Sequence, residues 1–143
     1  MYALAGQIDI TTDKQLLDVE LIHHVLVKES YWARERTLEQ IKKAIEHSIC
    51  FGVYDGERQV GFARIVSDRA TFAYLGDVFV IQEYQGRGIG KMLMEAIVAH
   101  PELQGLRRWV LATRDAHGLY EKYGFTPLKH PERWMELAAP NAY

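Results

Sequence analysis

Apolar positions along this chain change their spacing several times, and each spacing names an element. Residues 8–10 predict a short first strand. Thr12-Asp13 supplies a cap, and Leu16, Leu17, Val19, Leu21, Ile22, Val25 and Leu26 follow at the period of a helix with one apolar face. Residues 31–36 form a connector. Thr37, with Gln40 three positions on, is a capping-box pair that opens a second helix running to about His47. Strands over 49–54 and 59–66 flank Asp55-Gly56, a hairpin signal. A turn at Ser67-Asp68-Arg69 leads into a long strand over 71–81. A glycine-rich turn from Gln85 to Gly90 then opens a helix whose apolar stripe is Ile89, Met92, Leu93, Ala96 and Ile97, ending near His100-Pro101. A strand over 109–112, a helix over 115–123 and strands near 125–128 and 133–138 complete the pattern. Hairpins first and a strand–helix–strand crossover afterwards predict an α/β (α+β) fold. Its central sheet is mixed and mostly antiparallel, with helices on both faces.

Composition narrows the function. At 143 residues the chain predicts a single domain, 1–143, large enough to bury a core. A net charge of −2 supplies no excess of positive charge for phosphate backbones, so no nucleic-acid partner is expected. The single cysteine, Cys50, lies between Ile49 and Phe51 and reads as a buried strand residue of a cytoplasmic protein. No leader and no apolar run long enough to span a membrane are read from the sequence. His23, His24 and His47 fit no metal-ligand spacing, so no metal is expected.

The turn after the long strand carries the chemistry. Gly86, Gly88 and Gly90 let the backbone approach a ligand closely, and the first amides of the following helix lack intrahelical partners. That arrangement holds phosphate or pyrophosphate. A nucleotide P-loop needs Gly where Gln85 stands and a hydroxyl where Met92 stands. A dinucleotide fingerprint needs a third glycine where Lys91 or Leu93 stands. The pattern [QR]-x-x-G-x-[GA] is met in full by Gln85-Gly86-Arg87-Gly88-Ile89-Gly90.

Here the chain resembles the GCN5-related N-acetyltransferase superfamily. A second stretch resembles it too: Leu119-Tyr120-Glu121-Lys122-Tyr123-Gly124-Phe125, after the strand over 109–112. The resemblance covers roughly residues 60–137. It implies acetyl-CoA as co-substrate and direct transfer of acetyl to an amine of a small molecule or peptide. The loop Gln85, Gly86, Arg87, Gly88, Ile89, Gly90 and Lys91 would take the pyrophosphate. The pantetheine arm would lie along Val78, Phe79 and Val80. Tyr120 matches the tyrosine that protonates the departing sulfur. Asp115 stands near a position where the family usually has Asn, and His117 lies beside the same site. A monomer or homodimer is expected.

Three further readings concern the acceptor; one of them, a pocket at the connector, is what the resemblance implies. A lysine-like amine is protonated near pH 7.4, and freeing it costs about 4 kcal/mol, so a base acting through water is useful. Asp77, just before the cofactor strand, is the candidate, or else it serves a salt bridge or a turn. Tyr31 and Trp32 in the connector, with Tyr74 and Trp134, either line an acceptor pocket or pack. Arg64, with Arg34 and Arg36, is a candidate to bind a substrate carboxylate. Two rival functions stand beside acetyl transfer to an amine: an acyl-CoA-binding sensor without turnover, and transfer of another acyl chain or to an oxygen acceptor.

Overall fold

The fold is described from a computed structural model covering residues 7–30, 33–140 and 142. Five strands form one sheet in the order β1-β2-β3-β4-β5: β1 (Ile8–Thr11), β2 (Ile49–Asp55), β3 (Arg58–Ser67), β4 (Phe72–Val80) and β5 (Arg108–Leu111). All neighbours are antiparallel except β4 and β5, which are parallel and joined through helix α3 (Ile89–Val98). Mixed and mostly antiparallel, the sheet is the one the spacing predicts. Every residue of β2 from Ile49 to Tyr54 is buried, so this strand is covered on both faces. Phe62, Ile65, Leu93, Met94 and Ile97 are among the largest fully buried side chains. The chain divides into two compact units, the first ending at Ala112 and the second beginning at Thr113.

Local chemistry explains where the elements differ from expectation. The helix expected from Thr12 is two pieces, a 3-10 turn over Lys14–Leu16 and then α1 (Val19–Glu29). Asp13 caps the turn through Gln15 N, and Asp18 caps α1 through Leu21 N. Between them Leu17 is extended, and the Asp18 amide donates to Gln59 Oε1 at 2.7 Å, which pulls this backbone out of the helix. Helix α2 (Leu38–Glu46) opens on the capping box of Thr37 and Gln40, with both reciprocal bonds present. Beyond Asp55 the hairpin turns at Gly56, φ +62°, and Asp55 pairs with Arg58. Asp68 closes the next turn by accepting from the amides of Ala70, Thr71 and Phe72 and from the Thr71 hydroxyl. These bonds, led by the hydroxyl, hold its carboxyl well below the usual carboxylate range.

The second unit departs further. Helix α4 is five residues, His117–Glu121, and Gly124 after it takes φ +95°, the left-handed residue expected at this helix end. The expected strands near 125–128 and 133–138 are absent. Pro127 removes a ladder donor from the first, and Pro131 opens a 3-10 turn over Pro131–Arg133 that runs into the start of the second. Met135 and Leu137 are fully exposed rather than facing a core.

Gly52 gives a test of the packing. A Cβ there would come within 2.7 Å of the buried Tyr54 ring, whose hydroxyl has no partner among the described residues. Gly52→Ala should lower stability in urea by about 1–3 kcal/mol. Adding Tyr54→Val should recover most of that loss. Additive losses in the double variant would show that the ring is not the obstacle.

Candidate active site

Strand β4 carries two features that shape the site. The first is a bulge. Phe62 pairs with Phe79 and Arg64 with Gly76, so Asp77 and Val78 together oppose Ala63. Asp77 takes φ +54°, a left-handed conformation that Asp tolerates better than most residues. The second is an open edge. Pairing with β5 ends at Leu75, whereas pairing with β3 continues to Val80. From Gly76 to Val80 the β5 side of β4 therefore has no neighbouring strand among the described residues. Phe79 is buried, while Val78 and Val80 are half-buried.

After β4 the chain makes a 3-10 turn over Gln82–Tyr84 and enters the glycine loop. Gly86 and Gly88 have φ +79° and +81°, and a Cβ on either would touch nothing, so backbone angle is the requirement here. Gly88 is the N-cap of α3 and has no side chain to occupy the amides of the first turn, Ile89, Gly90 and Lys91. Gln85 folds back and donates from Nε2 to the Val80 carbonyl at 2.9 Å. The Arg87 guanidinium lies 4.6 Å over the ring of Tyr84. The Tyr84 hydroxyl donates to Asp55 Oδ2, and Arg58 forms a two-bond pair with Glu83 at 2.9 and 3.2 Å. The turn of the β2–β3 hairpin thus props the segment that leads into the glycine loop. Sequence reasoning missed this brace, because Asp55 and Tyr84 are brought together only by strand order.

Asp77 is the most enclosed charge of the site, with its side chain 3% exposed. Arg36, from the connector between α1 and α2, donates to Oδ2 at 2.5 Å, and Arg64 of β3 donates to the same oxygen at 2.8 Å. Arg64 also donates to the Ser48 hydroxyl at 3.1 Å. Burial pushes the Asp77 carboxyl up, the charges of Arg64 and Arg36 pull it down, and the pull wins. An environment that weakens a carboxylate's hold on its proton is tuned against general-base work. The structure brings Asp77 and Arg64 together as ion-pair partners and adds Arg36. Tyr74, half-buried on β4, lays its ring over Gly76, where a Cβ would meet it at 3.0 Å.

In the second unit, Asp115 and His117 are exposed and His117 begins α4. Tyr120 of α4 is buried, its ring edge-on to Phe125 with centroids 6.1 Å apart. Trp134 is exposed at the end of the last 3-10 turn. Tyr31 and Trp32 lie outside the described residues. Cys50 is fully buried, and burial pushes its thiol up to about 11. Among the described residues no group of three or more His, Cys, Asp or Glu is placed to hold a metal, and no helix is long and apolar enough to cross a membrane.

Comparison with known proteins agrees with this geometry. Residues 46–127 match the family model described as an acetyltransferase (GNAT) domain. A crystal structure from Xanthomonas campestris pv. campestris, assigned to the GNAT acetyltransferases, is 54% identical with a TM-score of 0.92 over 94% of each chain. A Gibberella zeae protein assigned as an acetyltransferase is 32% identical over 82% of this chain and 77% of its own length. A Clostridium acetobutylicum protein assigned as an acetyltransferase, solved with acetyl-CoA, shares the fold at a TM-score of 0.68 and 14% identity. That match covers 92% of this chain and 96% of the other. The chain belongs to the GNAT family of acetyltransferases, an acyltransferase family that uses acetyl-CoA as co-substrate.

Asp77 yields a pH test. Its folded carboxyl titrates below the unfolded value of about 3.9, so its contribution is full above that pH and is lost as pH falls. Asp77→Asn leaves two guanidinia without their counter-charge and should cost about 3 kcal/mol at pH 7. Urea unfolding should show a constant gap between wild type and variant down to about pH 4.5, shrinking below it. A gap independent of pH would mean that charge is not what Asp77 contributes.

Proposed function

We propose that this chain is an acetyl-CoA-dependent N-acetyltransferase that moves acetyl directly onto a primary amine of a small molecule or peptide. The observation that carries this reading is the junction of an open β4 edge with a left-handed glycine turn at the start of α3. The backbone of Val78, Phe79 and Val80 takes the amide-bearing pantetheine arm as an added strand, while half-buried Val78 and Val80 keep their packing. The amides of residues 85–91 take the pyrophosphate, with Arg87 and Lys91 adding charge. The family resemblance makes Asp115 and His117 further candidates for cofactor contact.

The neutral amine attacks the thioester carbonyl carbon, the C–N bond forms, the C–S bond breaks and the sulfur leaves as thiolate. One amine proton is lost to solvent, and the thiolate takes one from Tyr120, which regains a proton from solvent. The products are the N-acetyl amine and coenzyme A. A thiol of pKa about 8.5 against a tyrosine of about 10 makes that last transfer uphill by about 2 kcal/mol, a gap that modest tuning closes. Asp77, clasped by two guanidinia, acts here as their counter-ion, and solvent accepts the amine proton. Tyr31, Trp32, Tyr74 and Trp134 are the aromatic candidates for acceptor contact. Cys50, buried and protonated, takes no part as a nucleophile.

Gly88→Glu tests the cofactor grip. A Glu there meets no steric clash but must take φ +81°, a strain of about 1–2 kcal/mol, so circular dichroism first checks the fold; its charge then opposes the pyrophosphate. Calorimetry should show acetyl-CoA affinity falling at least about tenfold. Equal affinity in a folded variant would remove the loop from the site.

Tyr120→Phe tests the chemistry once an acceptor is found by screening amines for release of free thiol. The ring and its contact with Phe125 remain, so acetyl-CoA binding should change little. Turnover should fall by about 10²–10⁴ if the hydroxyl supplies the proton. A variant with full kcat would take Tyr120 out of the mechanism. A wild type that binds acetyl-CoA yet acetylates nothing across a broad screen would be a binding domain instead.

A further inference from the structure

Arg36 and Arg64 reach Asp77 through one shared oxygen. Two positive charges therefore face one negative charge, and the cluster is left one charge positive. Among the described residues no second carboxylate pairs with either arginine. Arg64 uses Nε on Asp77 and Nη1 on Ser48, and Arg36 uses Nη1 on Asp77. A guanidinium carries five N–H donors, so donors remain on both. The side chains are 30% exposed for Arg36 and 14% for Arg64. The excess charge is thus mostly withdrawn from water, yet reachable from the Arg36 side. A solvated surface arginine needs no counter-ion, whereas a partly desolvated excess charge is costly until an anion meets it.

Position gives this charge a use. Asp77 directly precedes Val78–Val80, and Arg64 pairs with Gly76 across β3 and β4. The connector that supplies Arg36 is therefore tied, one ion pair away, to the strand segment that holds the cofactor arm in the reading above. We propose that Arg36, backed by Arg64, docks an anionic group of the acceptor, a carboxylate or a phosphate, whose amine then reaches the thioester. This inference rests on the N-acetyltransferase reading and adds the class of acceptor: amino acids, phosphorylated amines or similar anionic amines, in preference to polyamines and simple alkylamines. The planar fork of a guanidinium suits both anions by two parallel hydrogen bonds.

The test compares amines that differ only in the anion. β-Alanine is set against β-alaninamide for a carboxylate, and O-phosphoethanolamine against ethanolamine for a phosphate. In one pair or both, kcat/KM with acetyl-CoA should be at least about tenfold higher for the anionic member. Arg36→Gln should shrink that ratio at least about fivefold, chiefly through KM, and Arg36→Lys should restore part of it. Asp77 keeps Arg64 as partner in both variants, so the fold should hold, as circular dichroism would confirm. Equal rates within both pairs, or a ratio untouched by Arg36→Gln, overturn the proposal. If acetyl-CoA binds but none of the four amines is acetylated, inorganic phosphate is titrated into the protein saturated with coenzyme A. Binding at least about fivefold tighter in wild type than in Arg36→Gln supports the anion site, and equal affinity overturns it. Failure of acetyl-CoA to bind at all counts against the acetyltransferase reading, and the phosphate comparison, run without coenzyme A, still decides the anion site.

Discussion

Asp77 holds a left-handed backbone angle in the middle of a strand, a conformation that costs an L-residue about 1–2 kcal/mol. Two guanidinia on its carboxylate offset that cost, and they arrive from different parts of the chain, β3 and the α1–α2 connector. Much of the site depends on this one clasp. The bulge it fixes breaks the register between β3 and β4 just before the strand segment read as the cofactor platform. It also ties the connector to that segment. Without it, Ala63 would no longer face two residues of β4, and the exposed backbone from Gly76 to Val80 would lose its defined register.

The loop that follows is stabilised from outside itself. Its glycines supply permissive backbone angles but no packing, since nothing lies within reach of a Cβ at Gly86 or Gly88. Order comes from neighbours: Gln85 anchors to the Val80 carbonyl, and Arg87 rests on a Tyr84 ring that Asp55 holds by its hydroxyl. A loop ordered in advance loses less entropy on binding any ligand. Asp55, which holds the Tyr84 ring in place, belongs to a hairpin turn that would otherwise read as mere surface.

Much of this was legible in the sequence because it rests on local chemistry. The capping box at Thr37, the turn at Gly56, the left-handed glycines and the stripe of α3 are short-range signals, and each appears where its spacing places it. Long-range partners were not legible. Nothing near Asp77 announces that Arg36, forty-one positions earlier, will share its oxygen with Arg64. The first helix splits because Gln59, also distant in sequence, captures the Asp18 amide. The strands expected after Phe125 fail for a plainer reason. Pro127 removes a ladder donor inside the first, and the 3-10 turn that Pro131 opens runs into the start of the second.

Cys50 has a practical consequence. It is the only cysteine in the sequence, it is 1% exposed, and its thiol is protonated at any pH an enzyme assay would use. Thiol reagents attack thiolates, so the folded protein will be silent toward them while coenzyme A is not. Reagents that colour free thiol will therefore count turnover without a background from the enzyme. The same silence makes the wild-type chain a ready background for single-site labelling: one cysteine introduced on the exposed face of α2 or α3 would carry a fluorophore alone.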